Sequence, residues 1–270
     1  MIVGTGRVAN LSLLIKYVLF DSFMKIDQQS TYFTMINIEH RQWCAKMSKK
    51  PTLLNRAAKG IQHRINRIIP EKVHRVITGA IKEITRGVLS GAGFTTLKRL
   101  PPASIEEIEL LALKKVNFYS SSSAAEGAIT GYGGFISGFA DFPLWLTLKM
   151  KMLFEIANAY GVDLKDYKER LYILHIFQLT FSSQKHRNAV FNILNDWEAQ
   201  KESLPGDIHQ FDWRTFQLEY RDFIDIAKLI QLIPGVGAIA GAYVNHKYTK
   251  KLGYNAMNAY RMRMAEFRNN

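Results

Sequence analysis

Apolar residues recur at steps of three and four along most of this chain, the period of helices that bury one side. From Ile36, the positions Trp43, Met47, Leu53, Leu54, Ala57, Ala58, Ile61, Ile65 and Ile68 follow that rhythm until Pro70. Glu71 and Lys72 open a second helix behind that proline, with an acid in its first turn as helix starts favour. Its apolar side is Val73, Val76, Ile77, Ala80, Ile81, Ile84 and Val88, its polar side carries Lys72, Arg75, Lys82 and Arg86, and the GAG at 91–93 predicts its end. After Leu100-Pro101-Pro102, Ser104 and Glu107 stand at the spacing of a capping box and start the helix SIEEIELLALKKV. The four serines Ser120 to Ser123 predict a polar hinge.

The hinge leads into the longest apolar stretch of the chain. Gly127, Gly131, Gly134 and Gly138 form two GxxxG steps there, a small-residue face on which another backbone can come close. Asp141 and Pro143 interrupt the stretch and predict a kink or a helix restart. LWLTLKMKMLFEIANAY then reads as a helix with Gly161 as its C-cap. KERLYILHIFQLTF is helical, SSQKHRNAVFNILNDWEAQK reads as one polar amphipathic helix, and LPGDIHQFDW is a loop. DWRTFQLEYRDFIDIAKLIQLIP is a long helix stopped by Pro234. GVGAIAGAYVNHKY is a second glycine-rich apolar stretch. Gly237 and Gly241 repeat the GxxxG step in it, Asn245 ends its small-residue run, and it is expected to pack on 127–140. LGYNAMNAYRMRMAEF makes one more helix. No alternating strand pattern is present. The reading is all-α, a compact multi-helix domain over 35–270 with two glycine-rich apolar hairpin segments.

Residues 1–34 stand outside that domain as a poorly defined extension. VANLSLLIKYVLF is apolar for only 13 residues, against the roughly 20 of a spanning helix. A short surface anchor, a signal-like segment and a start placed too far upstream are the three readings, and the third is favoured. Met24 and Met35 offer later starts.

Charge changes the picture more than composition does. The net charge is +13, and between His40 and Leu100 fourteen lysines and arginines face only Glu71 and Glu83. Two basic amphipathic helices invite contact with anionic lipid, worth roughly 1 kcal/mol per basic side chain near the surface. The contact candidates are Lys59, Arg64, Arg67, Lys72, Arg75, Lys82 and Arg86. The competing view is that both helices pack into a core and hold solvated cations outward. Nucleic acid is not expected, because no aromatic stacking platform or DNA-binding module accompanies the charge. The single cysteine, Cys44, excludes a disulfide framework and a cysteine-based metal cage.

Catalytic chemistry is thinly marked. The seven histidines are scattered, with no HExxH, so no metal or other cofactor is expected. The glycine runs lack the frame of a phosphate loop. Asp141 with Glu169 or Glu155 is the one carboxylate pairing worth naming, and it underlies an alternative reading as a hydrolase. Glu169 and Arg170 read as a charged pair that is a structural ion pair or reaches Asp141. His175, in an apolar run, reads as a hydrogen-bonded core residue before it reads as a ligand. Ala128 to Leu148 approaches a spanning length with Asp141 as its one charge, yet the acid, the proline and the glycines argue for a core or reversibly inserting hairpin. A soluble structural or interaction protein is the remaining class.

Long ordered blocks carry a family resemblance. They are WCAKMSKKPTLLNRAAKGIQHRIN with IPEKVHRVITGAIK, EGAITGYGGFISGFADFPLWLTLKMK, YGVD with KERLYILHIFQLTFSS, and DWRTFQLEYRDFIDIAKLIQLIPGVGAIAGAYVN with LGYNAMNAYRMR. Over about residues 36–265 they resemble the EcsC family. The resemblance implies a helical bacterial protein on the cytoplasmic side of the membrane, in an operon with the ATPase and membrane subunits of an ABC transporter. It implies no catalytic set. The family-like polar positions are Asp141, Glu169, Arg170 and Asn245, and all four are present. Joined to the charge pattern, it predicts an accessory protein peripherally held on the cell membrane, with the anionic surface and ABC transporter subunits as partners.

Overall fold

The computed structural model describes residues 31–49, 71–91, 93, 104–130, 142–182, 184–210 and 238–268. Among these the regular structure is helical, with no β-strand. The chain divides into two units, 1–44 and 45–270. In the first, helix α1 (31–48) begins and buries Ile36, Asn37, His40 and Trp43 along one side. His40 stacks beside Trp43 with ring centroids 6.1 Å apart. Burial pushes the Cys44 thiol up to about 11, so it is an inert thiol rather than a nucleophile.

In the second unit the described elements are α2 (Glu71–Ser90), α3 (Ile105–Thr130), α4 (Phe142–Ala159), α5 (Tyr167–Phe181), α6 (Gln184–Asn195), α7 (Trp197–Ser203), a 3₁₀ turn (Ile208–Gln210), α8 (Ala238–Arg261) and α9 (Ala265–Arg268). The longest helices, α3 and α8, form the most extensive packing. They run antiparallel: Glu109 meets Arg261, Val116 lies against Gly253, and the Ser120 carbonyl lies 3.1 Å from His246 Nδ1. Helix α4 packs on both, α5 packs on α8, and α2 packs over α4 and α5. Every residue of α5 except Lys168 is buried. A helix surrounded on all sides has no polar face to show, which is why its sequence lacks a clear stripe.

Several helix ends follow the sequence signals. Ser104 Oγ accepts from Glu107 N at 3.2 Å while Glu107 Oε2 accepts from Ser104 N at 2.9 Å, a closed capping box. Gly161, with φ +74°, closes α4 as Val162 N bonds the Ala157 carbonyl at 3.1 Å. Gly91 and Gly93 take positive φ just past α2. Helix α4 starts beside Pro143, as the expected restart requires.

Three expectations are corrected. The serines are not a hinge, because α3 runs through them. Ser120 Oγ donates to the Asn117 carbonyl at 3.1 Å and Ser122 Oγ to that of Phe118 at 2.9 Å, so both hydroxyls are absorbed by the helix that contains them. The 182–201 stretch holds two helices rather than one, Gln184–Asn195 and Trp197–Ser203, broken at Asp196 with φ −97° and ψ 23°. The tail is not one more helix: α8 runs from Ala238 through Asn245 to Arg261, and the short α9 follows. Gly127 and Gly241 lie inside α3 and α8. Gly131, Gly134, Gly138, Gly237 and Asp141, and with them the two hairpins and their mutual packing, lie outside the described residues.

Candidate functional site

Glu169, Arg170 and His175, singled out from the sequence, all lie on α5. Asp166 caps that helix, its carboxylate accepting from Lys168 N at 2.9 Å. Glu169, one turn in, faces two cations from distant parts of the chain. Arg263, just past α8, donates through Nη1 to Oε2 at 2.5 Å and through Nη2 to Oε1 at 2.9 Å. Lys201 of α7 donates to Oε1 at 2.5 Å and also reaches Asp166 at 3.1 Å. Burial alone would raise the Glu169 pKa, but the hydrogen bonds and charges of Arg263 and Lys201 outweigh it and lower it. Arg263 also spans to Glu198 at 2.9 Å and lies 4.8 Å from the centre of the Tyr172 ring. Both carboxylate oxygens of Glu169 are therefore occupied, in a clamp that ties α5, α7 and the turn after α8 together.

Glu169 and Arg170 are adjacent in sequence but do not pair. Arg170 points the other way. Its Nε and Nη2 donate to the Leu89 carbonyl at 3.1 and 2.6 Å, and its Nη1 donates to Leu164 and Lys165 carbonyls at 2.9 and 2.6 Å. A guanidinium at the C-terminal end of α2 meets the orphan carbonyls and the negative end of the helix dipole. This is a structural role that pins α2 to the α4–α5 turn.

A second buried ion pair lies where α3 and α8 meet. Arg261 Nε and Nη2 donate to the two oxygens of Glu109 at 2.8 and 2.7 Å, with side chains only 2% and 1% exposed. Tyr160 donates its hydroxyl to Glu109 Oε1 at 2.7 Å. Rings run from there toward the first clamp. Tyr160 stacks on Tyr260 at 5.3 Å, Tyr260 lies 5.4 Å from Tyr172, and Tyr172 lies 5.2 Å from Trp197. Burial and the Glu109 charge raise the Tyr160 hydroxyl well above its ordinary value, so it serves as a neutral donor.

His175 stands at the far end of that series, its ring 5.9 Å from Trp197 and its Nδ1 3.0 Å from Gln178 Oε1. The core-residue reading fits this placement. Burial pushes its pKa down to about 4, against a small upward push from Gln178. The sign follows from that direction. The unfolded chain takes up a proton near pH 6.5 while the folded one resists it until about 4. Stability is full above 6.5 and falls as pH drops toward 4, by on the order of 3 kcal/mol. We expect urea midpoints to fall across that window in the wild type, with a flatter profile in His175→Gln.

The third polar group is on α4. Lys149 is 1% exposed, and its ammonium lies 5.0 Å from the Trp145 ring centre. Trp145 Nε1 donates to Asn245 Oδ1 at 2.7 Å. Asn245 thus joins α8 to α4. Glu155, the other acid considered beside Asp141, accepts from the Tyr119 hydroxyl at 2.6 Å and pairs with Lys115 at 2.7 Å.

The described candidates are brought into the interior, but as connectors between helices. Glu169, Arg170 and His175 share α5, yet they face three different neighbours and do not converge on a common point. No group of three or more metal-ligating side chains occurs among the described residues. Glu109, Arg261, Arg263, Lys201 and Lys149 were not singled out from the sequence. One signal could have found Glu109 and Lys149. Glu109 falls on the buried stripe Ala112, Val116 and Tyr119 of α3, and Lys149 interrupts the apolar LWLTLKMKML.

The basic candidates lie on the outside. On α2, Arg75, Lys82 and Arg86 are exposed while Ile77, Ile81, Val88 and Leu89 are buried. Arg86 is shared with Glu83 at 3.4 Å. Lys59, Arg64 and Arg67 lie outside the described residues, as does the side chain of Lys72. No helix among the described residues is long and apolar enough to cross a membrane.

Comparison with known proteins bears out the resemblance. The EcsC protein family matches residues 36–264. Protein EcsC of Bacillus subtilis (strain 168) is 40% identical over 227 residues, covering 84% of this chain and 93% of that protein. A second protein of that strain, "Uncharacterized protein YdbA", is 27% identical over 221 residues, covering 74% of this chain and 80% of its own. No solved structure matches. The family match spans most of the chain, and the identity to Protein EcsC holds over nearly that protein's full length, so the chain belongs to the EcsC protein family.

Proposed function

We propose that this protein is an accessory factor that rides on the anionic inner face of the cell membrane beside an ABC transporter, held by charge rather than by insertion. One observation carries the reading: α2 turns Ile77, Ile81 and Val88 into the protein and leaves Arg75, Lys82 and Arg86 in solvent. An amphipathic helix whose apolar side is already engaged cannot also bury that side in acyl chains. What it offers a membrane is its cations, each worth roughly 1 kcal/mol near an anionic surface. The net charge of +13 supplies the long-range attraction. The transporter partner rests on the family resemblance, and the contact would be of the protein–protein kind.

The hydrolase reading has less support. Glu169 holds two cations with both oxygens, which suits an anchor and not a proton carrier.

The test compares vesicles of phosphatidylcholine alone with vesicles containing phosphatidylglycerol. Flotation with the anionic vesicles only is the expected result. Equal flotation with both, or none with either at low salt, would overturn the membrane part. In-cell cross-linking that captures ABC transporter subunits is expected for the partner part, and cross-linking that captures none of them would remove it.

A further inference from the structure

We infer that the outward stripe of α8, formed by Tyr243, Lys247 and Lys251, is the surface that meets the anionic lipid headgroups. The inference rests on the membrane reading above and adds a location that the charge pattern of the sequence does not indicate.

The orientation of α8 is fixed by its other side. Asn245, Thr249, Leu252, Ala256 and Tyr260 are all buried, so the helix cannot roll without breaking its packing on α3, α4 and α5. That leaves Tyr243, Lys247 and Lys251, four residues apart in turn, facing solvent. Tyr243 is 64% exposed. The Lys247 ammonium lies 5.8 Å from its ring centre, and that of Lys251 lies 5.5 Å from the ring of the half-buried Tyr248. From Ala238 to Arg261 the helix has no acidic residue, while Lys247, Lys250 and Lys251 fall within five positions.

Those features match the chemistry of a headgroup layer. A tyrosine places an apolar ring and a polar tip at the membrane–water boundary. Lysine stems lie along apolar surface while their ammonium groups reach phosphate. Charge complementarity selects an anionic surface. Helix α2 has exposed cations as well, but it offers no aromatic ring, and Glu83 stands within 3.4 Å of Arg86. The α8 stripe is the better equipped of the two.

The experiment uses the full chain and vesicles of equimolar phosphatidylglycerol and phosphatidylcholine. The three residues are exposed, so substitution leaves the fold intact, which circular dichroism verifies. Lys247→Gln with Lys251→Gln should weaken partitioning by about ten- to thirty-fold, given roughly one kcal/mol per lysine. Adding Tyr243→Ser should weaken it further. Lys82→Gln with Arg86→Gln should weaken it less than the α8 pair does, since Glu83 already stands 3.4 Å from Arg86. Wild-type partitioning retained by the α8 variant, or a larger loss from the α2 variant, overturns the assignment while the membrane reading stands. A wild type that ignores anionic vesicles overturns both. Retention by poly-L-glutamate without binding to vesicles also overturns the assignment and points to an acidic protein surface instead.

Discussion

Glu109→Gln should cost the protein about 3–5 kcal/mol, the range for removing one member of a buried ion pair. The carboxylate takes two hydrogen bonds from Arg261 and one from Tyr160, with both members of the ion pair almost wholly out of water. Glutamine presents one oxygen and one amide. The amide sets N–H against N–H at Arg261, and the buried guanidinium is left without its counter-charge. Against a typical total of roughly 5–15 kcal/mol, that loss threatens folding at ambient temperature. Urea unfolding followed at 222 nm measures it. The exposed Glu107→Gln provides a control on the same helix, and its loss should stay within about 1 kcal/mol. Replacing both partners by apolar residues of similar size should recover most of the loss, since the attraction of a buried pair is largely offset by its desolvation. A Glu109→Gln midpoint indistinguishable from that of Glu107→Gln would show that the pair does not join α3 to α8.

The second large effect belongs to Gly253. A Cβ there would lie 2.4 and 2.8 Å from the two methyls of Val116. Valine in a helix holds essentially one rotamer, so it cannot swing aside, and the two longest helices would have to part. Alanine normally gains about 1 kcal/mol over glycine inside a helix. Here overpacking reverses that sign, and Gly253→Ala should be net destabilising by about 1–3 kcal/mol. Gly253→Val should cost more. Val116→Ala opens the space, so the double variant Gly253→Ala with Val116→Ala should be more stable than the sum of the two single changes allows, a coupling of about 0.5–3 kcal/mol. Additive costs would contradict the close approach.

The sequence disclosed local features well because local features have local causes. The capping box at Ser104, the left-handed Gly161 and the start of α2 after Pro70 are set by neighbours within a few residues. The all-α class followed from periodicity in the same way. What spacing could not supply was the identity of distant partners. Arg263 is 94 residues from Glu169, and Arg261 is 152 from Glu109. Glu169 and Arg170 looked like a pair because they are adjacent, yet successive helix residues point about 100° apart and meet different neighbours. The serine run misled for a related reason. Serine favours hinges when the backbone is free, but packing of α3 on α8 holds the helix and the hydroxyls turn inward to its own carbonyls. GxxxG spacing could not point to Gly253, a lone glycine whose significance lies in Val116 facing it across α3 and α8.

The polar interior and the basic exterior have separate roles in this account. Inside, Glu109, Glu169 and Arg170 join helices. Outside, cations stand over apolar sides that are already buried. The central claim is therefore that the membrane contact is ionic. A salt titration of full-length protein on phosphatidylglycerol-containing vesicles tests it most directly. The predicted result is a steep fall in bound protein as salt shortens the screening length from about 10 Å at 0.1 M toward about 3 Å at 1 M, with complete release at the upper end. Protein that stays on the vesicles in high salt and leaves only with detergent would contradict it, and would mean that apolar segments of the chain enter the bilayer.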